Sequence, residues 1–94
     1  MIKRTLGHIA EMIDGEISDP SKKELFIEGI STDSRTISPA NLYIPLIGDV
    51  FDGRIFIKEC ENKGAAAFII DNDFEINKNI TIPFIKVADT AKAL

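Results

Sequence analysis

The chain has 94 residues, 45% of them hydrophobic and 28% charged, with a formal net charge of −4. That length supports one small domain around one modest core, and interspersed acidic and basic residues leave no basic stripe for duplex nucleic acid. No apolar run approaches the roughly 20 residues that cross a bilayer, and polar residues after Lys3-Arg4 exclude a secretory signal, so a cytoplasmic protein without nucleic-acid or membrane partners is expected.

Leu6, Ile9, Ala10 and Ile13 recur at helical spacing, with Thr5 placed to cap the start of a short helix and Gly15 its end. Residues 16–18 read as a brief strand and Asp19-Pro20-Ser21 as a turn. Residues 25–30, apolar at alternate positions, predict a strand that runs into the polar cluster Ser31-Thr32-Asp33-Ser34-Arg35. After the turn Ser38-Pro39-Ala40-Asn41, residues 42–47 form an apolar run ended by Gly48, the pattern of a buried strand. Pro45 has no N–H for a central ladder, so that strand is an edge or stops there.

A second helix is expected from Asp52 or Gly53, with Ile55, Phe56 and Cys60 on its apolar face and Ile57 as a further candidate for it. Lys58, Glu59, Glu61 and Lys63 are expected in solvent, Glu59 and Lys63 standing four apart in the favourable order, before Gly64 stops the helix. Residues 65–70 and 83–87 read as two further strands, and Asp71-Asn72-Asp73 as an exposed connection. Asp89-Thr90, followed by Ala91-Lys92-Ala93-Leu94, resembles a helix cap and first turn, from which a longer parent protein is expected. Strand, helix and strand over residues 42–70 form a βαβ-like unit, which implies parallel pairing. The expected fold class is α/β: a small mixed or mostly parallel sheet with helices packed on it, in a single domain.

Ligands of such sheets gather at the carboxyl ends of strands. Two segments qualify there, Ser31-Thr32-Asp33-Ser34-Arg35 and Gly48-Asp49-Val50-Phe51-Asp52-Gly53-Arg54. The first concentrates hydroxyls, a carboxylate and a guanidinium. The second has glycines that let a ligand near the main chain and opens a helix whose first N–H groups favour anions. Phe51 offers a face for a planar base and Arg54 a cation for a phosphate, against which Asp49 and Asp52 bring negative charge. The plainer reading is that Asp33 and Arg35 brace a turn, Asp52 caps the helix and Phe51 packs into the core. His8 is expected in solvent and, being the one histidine, supports neither a His-based metal site nor a Ser-His-Asp arrangement. Cys60, the one cysteine, excludes an intrachain disulfide and is expected as a buried structural thiol. No G-x-x-x-x-G-K-[ST] segment occurs.

Taken in order, Ser31-Thr32-Asp33-Ser34-Arg35, Asn41-Leu42-Tyr43-Ile44-Pro45-Leu46-Ile47-Gly48, Phe51-Asp52-Gly53-Arg54-Ile55-Phe56-Ile57 and Gly64-Ala65-Ala66-Ala67 resemble the N-terminal domain of the Mur ligases. The opening, Ile2-Lys3-Arg4-Thr5-Leu6 with Gly15-Glu16-Ile17, looks most like the branch that adds D-alanyl-D-alanine to a UDP-N-acetylmuramoyl tripeptide. The branch adding the third peptide residue is the alternative, and a non-catalytic α/β interaction module is a third reading. The resemblance implies that residues 1–94 hold the UDP-muramoyl end of the substrate. It implies contacts from Thr32, Ser34, Asp49, Val50 and Phe51, joined by Arg35 and Gly48, and no catalytic or metal-binding residue. ATP and Mg2+ would belong to the full-length parent, and the partners would be the UDP-N-acetylmuramoyl peptide and the remaining domains of the same ligase. The chain departs from the family pattern at Asn41 (often aspartate), at Tyr43 and Pro45 in the strand, and at Arg54 (usually histidine).

Overall fold

The computed structural model describes residues 4–48, 50, 52–71 and 75–88. A two-residue strand, β1 (Arg4–Thr5), leads directly into helix α1 (Leu6–Met12), whose first turn is capped as expected: Thr5 Oγ1 accepts from the His8 N–H at 3.2 Å. Leu6, Ile9 and Ala10 are its buried face, and His8 is exposed. The helix exit differs from expectation. Asp14 takes the left-handed backbone at φ 55°, and Gly15 instead supplies room, because a Cβ there would collide with the Ile85 side chain.

Strand β2 (Glu16–Ile17) follows, then a 3-10 turn at Pro20–Lys22 capped by Asp19. The single strand expected over residues 25–30 is two strands in two sheets. β3 (Phe26–Ile27) pairs antiparallel with β1, whereas β4 (Gly29–Ser31) pairs parallel with β5 (Asn41–Tyr43). The exchange falls at Glu28, whose N–H turns to the Ala40 carbonyl at 2.9 Å. The strand expected over residues 42–47 is shorter, for the reason Pro45 implies. The Ile44 N–H still reaches the Ser31 carbonyl, but the ladder ends at the buried proline, and Leu46 and Ile47 are exposed.

The second helix enters through a 3-10 turn, Gly53–Phe56, before α2 (Ile57–Asn62) begins. That tighter turn shifts the phase of the side chains. Ile55 therefore faces solvent at 73% exposure, while Ile57 and Cys60 fill the buried face. Gly64 ends the helix at φ 100°. Strands β6 (Ala67–Asp71) and β7 (Phe84–Val87) complete a five-stranded sheet of order β2-β7-β6-β5-β4. The pairs β4–β5, β5–β6 and β6–β7 are parallel, and β2 joins antiparallel at the edge. The expected mixed, mostly parallel α/β sheet is the one observed. The expected helix cap at Asp89-Thr90 and residues Asn72-Asp73 of the expected exposed connection lie outside the described residues.

Alternation along the central strands divides the core in two. Leu42, Ile44, Ala67, Ile69, Ile85 and Val87 pack with α1 on one face; Tyr43, Phe68 and Ile70 pack with Ile57 and Cys60 of α2 on the other. Burial on both faces is why these strands read as unbroken apolar runs. No helix among the described residues is long and apolar enough to cross a membrane.

Candidate ligand-binding cleft

Because β4 and β5 are adjacent and parallel, the segments that follow them emerge at the same edge of the sheet. Between those segments and α2 lies a cleft of about 600 Å3 lined by Thr32, Asp33, Ser34, Arg35, Leu46, Phe56 and Glu59. Thr32, Ser34 and Arg35, expected as ligand contacts, thus share one cavity. Gly48 and Val50 are not in its lining; both are exposed on the loop that follows Leu46, Val50 fully so. Asp49 and Phe51 lie outside the described residues.

The turn that carries the polar side of the cleft is built from its own side chains. The Ser31 hydroxyl donates to the Asp33 carbonyl at 3.0 Å and accepts from the Asp33 N–H at 3.2 Å. Asp33 then caps the 3-10 turn Ser34–Thr36, accepting from the Arg35 N–H at 2.9 Å. The same carboxylate pairs with the Arg35 guanidinium at 2.8 Å. These hydrogen bonds from the Arg35 side chain and N–H hold the Asp33 carboxyl at about 2, well below its ordinary 3.8. Arg35 is braced near its own backbone yet 84% exposed along its side chain, whereas Ser34 is nine-tenths buried. The bracing role and the cleft-lining role therefore coexist in one turn.

The opposite wall comes from residues that local sequence reading assigns to packing or solvent. Leu46 follows the buried proline, and Phe56 and Glu59 stand on the 3-10 turn and α2. Their convergence depends on pairing between segments more than ten residues apart, which no local spacing encodes. Gly53 fixes this corner. The Tyr43 hydroxyl donates to its carbonyl at 2.9 Å, and the Gly53 N–H donates to the Leu46 carbonyl at 2.7 Å. A Cβ on Gly53 would stand 2.9 Å from the Tyr43 Oη and 3.0 Å from the Leu46 backbone. Tyr43, where the family pattern has phenylalanine, thereby gains a partner for its buried hydroxyl.

Arg54 and the helix start take other roles. The Asp52 carboxylate accepts from the Arg54 N–H at 3.0 Å, so the opening of the turn already holds an acid. The Arg54 guanidinium lies between Asp52 and Asp71 at 2.8 and 3.4 Å, and it borders a separate hollow with Lys58 and Glu75. Cys60 is 1% exposed, and burial, then the Glu59 charge, push its thiol up to about 11, which leaves it an unreactive core group. Among the described residues no three His, Cys, Asp or Glu side chains converge to hold a metal ion.

Together these features define an α/β domain with a half-polar, half-apolar cleft at the carboxyl ends of two adjacent parallel strands. Residues 26–94 match the family described as Mur ligase family, catalytic domain. The chain belongs to the Mur ligase family. It is 38% identical over 94 residues to the UDP-N-acetylmuramoyl-tripeptide–D-alanyl-D-alanine ligase of Bacillus subtilis, a match covering 100% of this chain and 20% of that protein. It is 37% identical to UDP-N-acetylmuramoyl-L-alanyl-D-glutamate–2,6-diaminopimelate ligase 2 of Clostridium acetobutylicum, covering 98% of this chain and 18% of that one. The chain thus spans about a fifth of the length of the curated relatives it matches. The same fold occurs in crystal structure I of MurF from Acinetobacter baumannii, with a TM-score of 0.83 over 99% of this chain and 20% of that one, at 24% identity.

Proposed function

We propose that residues 1–94 form the substrate-binding domain of a peptidoglycan-precursor ligase and hold the UDP-muramoyl end of its substrate. The observation that carries this reading is the convergence of Thr32, Ser34 and Arg35 with Leu46 and Phe56 on one cleft. Leu46 and Phe56 offer an apolar wall to a planar base. Arg35 extends a guanidinium suited to a diphosphate, and Ser34 and Thr32 carry hydroxyls for sugar or phosphate oxygens. By the family resemblance, Gly48, Asp49, Val50 and Phe51 would add contacts to the same ligand. Both relatives named above act, by their names, on UDP-N-acetylmuramoyl peptides and differ in what they add. The cleft serves the part they share.

The ionisable groups lining the cleft, Asp33, Arg35 and Glu59, are each engaged in an ion pair, so we assign binding here and not bond-making. ATP and Mg2+ would be held by further domains of a cytoplasmic parent, since this chain has no lysine-bearing phosphate loop. Alone, it is expected to bind and not to catalyse. Addition of D-alanyl-D-alanine is favoured over addition of a third peptide residue by the opening residues, while the two identities, 38% and 37%, are alike.

The test is calorimetric titration of the chain with UDP-N-acetylmuramoyl tripeptide. Arg35→Ala is expected to raise Kd about tenfold, the loss of one charge-assisted contact worth ~1.4 kcal/mol. A variant that binds as the wild type does would remove Arg35 from the site. A wild-type chain silent to every UDP-sugar would leave the interaction-module reading in its place.

A further inference from the structure

Lys63 belongs to none of the motifs that point to the cleft, and spacing alone pairs it with Glu59 in solvent. Its ammonium does stand 3.7 Å from the Glu59 carboxylate, but it also donates to the Ser34 carbonyl at 2.9 Å, across 29 residues of chain. Ser34 and Glu59 line opposite walls of the cleft. One cation therefore touches both walls. The segment behind Ser34 is fastened to the same helix end, since the Ala40 N–H donates to the Gly64 carbonyl at 3.0 Å. Ser34 is itself nine-tenths buried, so the ammonium serves a carbonyl that the fold largely screens from water.

We propose that Lys63 is a positioning residue of the cleft: it holds the Ser34 carbonyl against the end of α2 and so sets how Ser34 and Arg35 are presented to a ligand. The role rests on the reading of the cleft as the UDP-muramoyl site. Lys63 does not touch the ligand. It fixes the separation of the 3-10 turn from the helix wall, with Glu59 of the same helix as a charge partner 3.7 Å away. Both sides of the lysine are charged: Glu59 beside it, and Asp33 of the paired Asp33–Arg35 brace within electrostatic reach.

Removing Lys63 alone would leave Glu59 unpaired and add repulsion toward an anionic ligand, so the decisive variant is the double Glu59→Gln/Lys63→Met. It keeps the local net charge of the wild-type pair while removing the hold on Ser34. In the ligand-free chain, the 13C signal of the Ser34 carbonyl should move in Lys63→Met and in the double variant, and stay close to wild type in Glu59→Gln. Titrated with UDP-N-acetylmuramoyl tripeptide, the double variant should bind about tenfold more weakly than wild type, whose net charge it shares, the scale of one charge-assisted hydrogen bond. Lys63→Arg, which keeps a donor and the charge, should recover most of the affinity. An unmoved carbonyl signal, or equal affinities for the double variant and wild type, overturns the proposal. A wild-type chain that ignores the tripeptide overturns the reading of the cleft and this role with it, and the ligand-free spectra tell that failure from loss of the hold. Should the double variant not fold, Lys63→Arg against Lys63→Met decides: equal carbonyl shifts and equal binding would overturn the assignment.

Discussion

The sequence uses one device twice. In Asp33-Ser34-Arg35 and in Asp52-Gly53-Arg54, an aspartate caps a 3-10 turn through the N–H of the arginine two residues on and pairs with that arginine's side chain. The outcomes diverge with environment. Arg35 projects into the cleft, whereas Arg54 has a 21% exposed side chain shared with Asp71. Since the Arg35 side chain leads the effects that lower Asp33, Arg35→Ala should return the Asp33 carboxyl part of the way from about 2 toward 3.8, with the N–H bond still in place. A carboxyl 13C titration measures this. Glu61 is expected to contribute to acid stability. Its side chain, only a tenth exposed, accepts from Lys58, from the Thr81 N–H and hydroxyl, and from the Ile82 N–H. Burial alone would raise its pKa; these donors outweigh that and bring it to about 2, below the ordinary 4.5. Its contribution is present above about 4.5 and fades as pH falls toward 2. Glu61→Gln should cost ~1–3 kcal/mol at pH 7 and flatten the acid limb of the urea-denaturation profile. The sequence shows Glu61 only as a charge on a helix; its partners twenty residues away were not legible.

At the scale of elements, α2 is too short to stand alone, at six residues. It is pinned to the sheet by Ile57 and Cys60 and to neighbouring loops by Glu61 and Lys63. Ile57→Ala should cost ~2–4 kcal/mol in denaturant unfolding and weaken ligand binding by loosening the wall that carries Phe56 and Glu59. Gly53→Ala should destabilise by ~1–3 kcal/mol through overpacking against Tyr43 and the Leu46 backbone. Tyr43→Phe should cost ~1 kcal/mol by leaving the Gly53 carbonyl without its donor, and the two melting curves would separate the effects. The long apolar strands and both helices were legible because their patterns repeat over several residues. The two-residue β1, the change of sheet at Glu28 and the outward turn of Ile55 were not, because each is set by a distant partner or a 3-10 phase shift.

In the whole molecule, two helices among the described residues lie on opposite faces of one sheet and leave the carboxyl ends of β4 and β5 open, where the polar turn faces Leu46, Phe56 and Glu59. Sequence motifs located the polar turn. They did not show that Leu46, Phe56 and Glu59 form the facing wall, or that Lys63 joins the two. The most direct test of the site is a 15N-resolved NMR titration of the chain with UDP-N-acetylmuramoyl tripeptide. Shifts should concentrate at Thr32, Ser34, Arg35, Leu46, Phe56 and Glu59, and saturate with added ligand. Saturable shifts centred instead on the Arg54, Lys58 and Glu75 hollow, or no shifts at all, would contradict the assignment of this cleft.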